Sequence, residues 1–361
     1  MGMEEWKEYK LGELLSIRYG KDHKKLNDGI IPVYGSGGIM RYVNQSIYDS
    51  PSILIPRKGS LNNIIYTETP FWTVDTMFWT IVNTKLVDPK YLYYAICKFD
   101  FAGLNVGSAV PSLTVPVIGN IDIILPSLNK QKNIVNILSI LDNKIELNRR
   151  INENLEQQAQ ALFKSWFVDF EPFKDGKFVD SELGMIPEGW KAGNLEELVE
   201  VKYGKDHKKL ASGTIPVYGS GGIMKYVDQY LYNEESVLIP RKGSLNNVMY
   251  VNHPFWTVDT MFYTHMKIEG IAKFIYLLIS PKDLLSMNSG SAVPSMTVDI
   301  LNKIAVIIPP TTILQQFESI VKPLFIMAES LQKENYRLAH LRDTLLPKLM
   351  SGELKINDLS I

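Results

Sequence analysis

Lys21, His23, Lys24 and Lys25 crowd one short stretch of this chain, just ahead of a glycine-containing loop, and Lys205, His207, Lys208 and Lys209 repeat them 184 positions later. Such a run reads either as a solvated charged face or as a set of phosphate anchors, which hold a nucleic-acid backbone without reading its sequence. A second block, Arg57, Lys58, Ser60, Asn62 and Asn63, comes after a β-like run and Pro56, and its copy is Arg241, Lys242, Ser244, Asn246 and Asn247. Arg can fork onto guanine and Asn can bond adenine at two points, so these side chains suit base readout. A turn that uses Asn for backbone hydrogen bonds is the competing reading. Tyr34 and Ser36 in VYGSGG, with Tyr218 and Ser220, join the candidate surface, as do Ser108 and Ser291 in the repeated GSAVPS. The GSGG run sits after a strand-like stretch but lacks the spacing and the acidic ribose partner of a dinucleotide site, so it reads as a tight turn. GSAVPS is equally a ligand-touching loop or a simple turn, and FWTVDTMF, alternating bulky and small side chains, reads as core strand.

Catalytic patterns are missing. The sequence has no GxxxxGK[ST] loop, no HExxH and no [ND]PP[YF] tetrad of an adenine-methylating enzyme, and its five histidines join no nucleophile and carboxylate in a known local pattern. The one cysteine, Cys97, excludes an internal disulfide framework and a CxxC metal site, and its apolar neighbours mark it as a small core residue. No metal site and no resident cofactor are expected. Thirty-eight Lys and Arg against 39 Asp and Glu leave a net charge of −1, without the basic excess of a protein that coats DNA by itself. The polar start and the lack of a long apolar run suggest a soluble, cytoplasmic protein.

These side chains are positioned by a duplicated unit. Residues 19–78 and 203–262 align without a gap, with 44 identities in 60 positions by direct count, and the tryptophans Trp6 and Trp190 keep the same 184 spacing. Each unit reads as mainly β, with short β-branched and aromatic runs (52–56, 64–66, 71–82) between Gly, Pro, Asn and Ser clusters, and a helical patch at 89–98 or 272–279. Pro126 and the pair Pro309 and Pro310 close the units. Beyond each unit lies a heptad pattern: Ile134, Leu138, Leu141, Ile145, Asn148, Asn152, Leu155, Ala159, Leu162 and Trp166 in one segment. In the other it runs Phe317, Ile320, Leu324, Met327, Leu331, Glu334, Leu338, Leu341 and Leu345, with Pro323 predicting a kink or a late start. Asn148, Asn152 and Glu334 interrupt the seams, either as ordinary imperfections of half-exposed helices or as devices that fix register. Neither helix can bury its stripe alone, so the two are expected to pack antiparallel. The expected fold is α+β: two mainly-β recognition domains with minor helices (1–128 and 172–310), joined by two long antiparallel coiled-coil helices (129–171 and 311–361, with a tail) in pseudo-two-fold symmetry.

The chain resembles the specificity subunits of type I restriction–modification systems over essentially its whole length. The resemblance is carried by YGSGG, IPRKGS and FWTVDT in each unit, and by the segments KIELNRRINENLEQQAQALFKSWFVDFEP and LRDTLLPKLMSGEL. It implies two target-recognition domains that each read half of a bipartite site in double-stranded DNA. It also implies helices that dock two methyltransferase (modification) subunits, restriction subunits that join them, and no catalysis by this chain. Methyl donor, ATP and Mg are then expected only on the partners. Two near-identical readers on an antiparallel helix pair predict a palindromic, interrupted site. The alternatives are the specificity polypeptide of a different nuclease system, a bivalent protein-binding scaffold, and a nuclease with a cryptic site.

Overall fold

The structure, a computed structural model, describes residues 6–107, 110–288 and 294–354. It divides into two compact units, residues 1–147 with 334–361 and residues 148–333, and the boundary passes through both long helices.

In the first unit, a four-stranded antiparallel sheet is ordered Leu15–Tyr19, Met77–Val82, Ser52–Pro56, Ile65–Thr67. Every residue of Ser52–Pro56 is buried, which is why that run is continuously apolar apart from Ser52. The hydroxyl of Ser52 donates to Thr80 O at 2.7 Å, so the one polar side chain in the strand is satisfied. A second sheet is ordered Gly38–Val43, Asp28–Gly35, Trp72–Thr73, the last pair parallel. Its hairpin turns at Ser36–Gly37, and Gly38 at φ 117° occupies backbone space that L side chains avoid. The tight turn expected at GSGG is therefore present. Lys7–Lys10 pairs with Asp122–Leu125 and so joins the start of the β unit to its end. The small helix Pro89–Ile96 begins where Asp88 accepts from the amides of Lys90 and Tyr91, with Pro89 in its first turn.

The second unit repeats this down to register. Its four-stranded sheet is Val199–Tyr203, Met261–Met266, Ser236–Pro240, Met249–Val251, and its three-stranded sheet is Gly222–Val227, Ser212–Gly219, Trp256–Thr257. Tyr19 opposes Phe78 in the first unit, and Tyr203 opposes Phe262 in the second. An additional hairpin, Phe178–Ser181 with Gly184–Pro187, precedes the second β unit.

The first long helix covers Leu128–Phe167 and the second Thr311–Ser351, each about 60 Å at 1.5 Å per residue. In the first unit Ile134 and Leu138, near the start of one, share a core with Leu349 and Met350 at the end of the other. Asp142 takes Arg342 Nη1 at 2.9 Å and also the Tyr94 hydroxyl, tying both helices to the small helix. In the second unit Ala159, Phe163 and Phe167 meet Leu314, Phe317 and Val321. The helices therefore run antiparallel.

Four expectations are corrected. The seam expected at Leu162 and Trp166 is centred on Phe163 and Phe167, with Leu162 and Trp166 half-buried at its rim. On the second helix Val321 and Arg342 take inward places, while Ile320, Met327 and Leu341 are exposed. The physical reason is pitch: these helix ends pack on β units rather than on a supercoiled partner, so the stripe follows 3.6 residues per turn and drifts from a strict 3.5 repeat. The helix begins at Thr311 and runs unbroken through Pro323, so the late start expected there is not found. Cys97 is exposed and not a core residue, as the cap that follows the last residue of the small helix.

Candidate nucleic-acid interface

The repeated polar blocks meet at one end of each β unit, because four connections leave the sheets there. In the first unit Gly20 bonds Met77 O and Lys21 bonds Thr73 O through their amides (3.1 and 2.8 Å), holding the lysine-rich loop along the 73–77 turn. The indole of Trp72 donates to Lys21 O at 2.9 Å. A Cβ on Gly20 would lie 2.0 Å from Val74 O, so only glycine allows this approach. Inside the loop Asp22 accepts from the Lys24 amide at 3.0 Å, which holds its carboxyl below the ordinary value. Lys21, Lys24 and Lys25 are exposed and His23 is half-buried.

The Arg57 and Lys58 amides both bond Thr76 O, at 2.8 and 3.2 Å, so the 57–63 loop is fastened to the same turn. The Arg57 guanidinium lies 5.3 Å from the centre of the Tyr19 ring and donates through Nη1 to Asp75 O at 3.2 Å. Arg241 repeats both contacts, 5.3 Å over Tyr203 and 3.2 Å to Asp259 O. Asn63 donates to Ser36 O at 2.9 Å, and Asn247 to Ser220 O at 2.8 Å, linking this loop to the glycine-rich turn. Asn62 donates to Asp100 at 3.1 Å and accepts from the Ala102 amide at 2.9 Å. Its copy Asn246 holds Asp283 at 3.2 Å and the Leu285 amide at 3.0 Å. Both Asn62 and Asn246 thus serve a neighbouring loop within the fold. Lys58 and Lys242 form backbone bridges to Ser112 and Ser295, while Ser60 and Ser244 are exposed at the loop tip.

The candidates separate by position. Lys21, Lys24, Lys25, Ser36, Arg57, Lys58 and Ser60 lie on the loop end of the unit, as do Lys205, Lys208, Lys209, Ser220, Arg241, Lys242 and Ser244. Tyr34 and Tyr218 do not: their rings sit in small apolar clusters behind the turn, and Tyr218 is only 7% exposed. His207 stays half-buried, its carbonyl accepting from Lys225 at 3.3 Å. Ser108 and Ser291 lie outside the described residues.

Between these loops is an open cleft of about 740 Å³, lined by Asp22, His23, Lys24, Gly35, Ser36, Gly37, Gly38, Ile39, Met40, Val74, Asp75 and Thr76. Ile39, Met40, Asp75 and Thr76 were not among the sequence candidates. Their signal was identity: all twelve lining residues recur unchanged 184 positions later, and none of the 16 differences between the two copies falls on the cleft. Two of those differences compensate each other elsewhere. Arg41 reaches Asp28 at 2.7 Å and Leu26 O at 3.2 Å, whereas Lys225, with Ser212 in place of the aspartate, reaches His207 O. Among the described residues no cluster of His, Cys, Asp and Glu could hold a metal ion, and no helix is long and apolar enough to cross a membrane.

The type I restriction modification DNA specificity domain family matches residues 3–157 and 187–338, one match for each repeat. A type I restriction enzyme specificity subunit (MjaIX) of Methanocaldococcus jannaschii is 29% identical over 345 residues, covering 87% of this chain and 80% of that one. The HindI specificity subunit of Haemophilus influenzae is 24% identical over 379 residues, covering 78% of this chain and 81% of the relative. The S subunit of a type I restriction–modification system from M. genitalium superposes with a TM-score of 0.58 at 19% identity, over 96% of each chain, which establishes likeness of fold.

Proposed function

The chain belongs to the type I restriction–modification DNA specificity family, and from that premise we propose that its two units read the same base sequence in the two halves of a bipartite DNA site. As a specificity subunit it selects DNA and performs no catalysis itself. The observation that carries the equal-reader proposal is the cleft: all twelve of its lining residues are the same in both copies, although the surrounding repeat differs at 16 of 60 positions. A groove of identical side chains on an identical strand frame presents identical donors and acceptors to a base edge. The antiparallel run of the two long helices inverts one half-site relative to the other, so the target is an interrupted palindrome whose spacer the helices set, much as half-site spacing mirrors symmetry in dimeric readers.

In this reading Lys21, Lys24, Lys25 and their copies hold phosphates, while Arg57 and Arg241 read bases. Asn62 and Asn246 hold the neighbouring loops in place. Tyr34 and Tyr218 support the turn from behind. The helices dock two methyltransferase subunits, with restriction subunits completing a cytoplasmic complex, and methyl donor, ATP and Mg belong to those partners. The exposed faces of the helices, including Ile140, Ile326 and Met327, leave apolar area for that docking. Each β unit carries only six Lys or Arg against five Asp or Glu in its repeated window, so much of the DNA affinity comes from the partners.

The test is a mobility shift of the assembled methyltransferase complex on a duplex carrying its site. Scrambling the left half-site and scrambling the right should weaken binding by the same factor. Losses that differ more than about tenfold contradict equal readers, and binding indifferent to both contradicts the recognition reading.

A further inference from the structure

We propose that Asp75 and Asp259 are specificity-determining residues, each acting with its neighbouring arginine as a donor–acceptor couple that recognises one G·C base pair per half-site. The inference rests on the recognition reading above and adds the base pair read. Asp75 is exposed on the cleft, and no ion pair or hydrogen bond of its carboxylate is found among the described residues. An acidic group in that position would repel a phosphate, so a DNA-binding cleft keeps it at a cost unless it meets something other than the backbone. The group it fits is an exocyclic amino donor, as a cytosine N4 presents in the major groove.

The frame around it is rigid. The 74–77 turn closes through Met77 N to Val74 O at 3.0 Å and carries the amides of Arg57 and Lys58 on Thr76 O. Arg57 is held by the Tyr19 ring and by Asp75 O, yet it forms no ion pair with the Asp75 carboxylate among the described residues. The 74–77 turn and the loop fastened to it therefore set a held guanidinium beside a carboxylate that has no partner among the described residues. A G·C pair offers the converse set in its major groove, acceptors at guanine N7 and O6 and a donor at cytosine N4. The second unit reproduces the arrangement at Arg241 and Asp259, with the same 3.2 Å bond. The free lysines of the adjoining loop lack this fixation, in keeping with phosphate contacts that carry no sequence information.

The test uses the complex of the full chain with its modification subunits, acting on a randomised plasmid library and read by sequencing the methylated bases. Wild type should mark half-sites that share a G·C pair. In D75A/D259A, discrimination at that pair alone should fall at least about fivefold, the lower end of what one base-specific contact supplies. R57Q/R241Q should relax the same position, whereas K24A/K208A should lower marking of all sites without changing the motif. Because no bond of the Asp75 side chain is found among the described residues, D75A/D259A should keep the wild-type circular dichroism and melting curve. A bipartite motif that D75A/D259A leaves unchanged, or relaxes equally at every position, overturns the assignment and leaves the recognition reading standing. A wild-type complex that marks no bipartite motif overturns both.

Discussion

Replacing Lys273 with Met should destabilise the second unit by about 3 kcal/mol, the lower end of the cost of breaking a buried ion pair. Lys273 is 2% exposed, and its ammonium lies 2.9 Å from Glu235 and 2.7 Å from Glu318 of the second long helix, 5.1 Å from the centre of the Tyr250 ring. Glu235 is exposed enough for water to screen it, so its contact adds little. Glu318 decides the magnitude. Its Oε2 already lacks a partner among the described residues, and burial pushes its carboxyl above the ordinary value despite the lysine. Without Lys273 that carboxyl rises further. A carboxyl whose folded value is raised favours the folded state below its unfolded value, near pH 4.3, and that support disappears as the pH climbs through the folded value. The deficit of the variant should therefore be largest at neutral pH and shrink as the pH falls towards 4.3. Converting both residues, Lys273→Met with Glu318→Leu, should cost less than the single change because no charge is left stranded. Urea unfolding followed by circular dichroism, with hydrogen exchange of Ala272–Ile279 as the local probe, measures all three. A single variant as stable as wild type, or a deficit indifferent to pH, would refute this account of the contact between helix and β unit.

Two more changes test the loop end. Lys24→Ala with Lys208→Ala should weaken binding of the complex to all sequences alike and reduce the slope of log K against log salt by about 2, one phosphate lost per unit, as read from mobility shifts across a salt series. Gly20→Ala should cost about 1–3 kcal/mol and displace the lysine-rich loop, because the new Cβ meets a backbone carbonyl that cannot move aside. Thermal melting with proteolysis of the 20–26 loop checks it, and an unchanged loop would mean that the 73–77 turn is softer than its bonds imply.

The duplication, the β character of the units and the two long helices were legible because each leaves a periodic or repeated trace. Ser52–Pro56 reads as a buried strand by its apolar run, and the Ser36–Gly37 turn by its glycines. Helix faces were less legible. A heptad template places Leu162 and Trp166 inward, but the aromatic core of the second unit recruits Phe163 and Phe167, which meets Phe317 at 4.8 Å between ring centres. Pro323 predicted a kink or a late start because proline removes a backbone donor and crowds the preceding turn, yet the helix begins at Thr311 and continues through it. At the interface, residue type pointed to cations and amides. It gave no sign that Asn62 is bonded at both ends of its amide, nor that the Tyr34 ring joins an apolar cluster. Asp75 escaped because an acidic side chain is not expected on a DNA face. Only its neighbours in space, contributed by residues 22–24, 35–40 and Arg57, give it a role.

The central claim is that one chain carries two equal readers. Base-resolution sequencing of methylated DNA from cells that carry this chain with its modification subunits tests that most directly. The account predicts one interrupted motif whose two halves are the same sequence on opposite strands, separated by a spacer of fixed length. Two unrelated half-sites would contradict it.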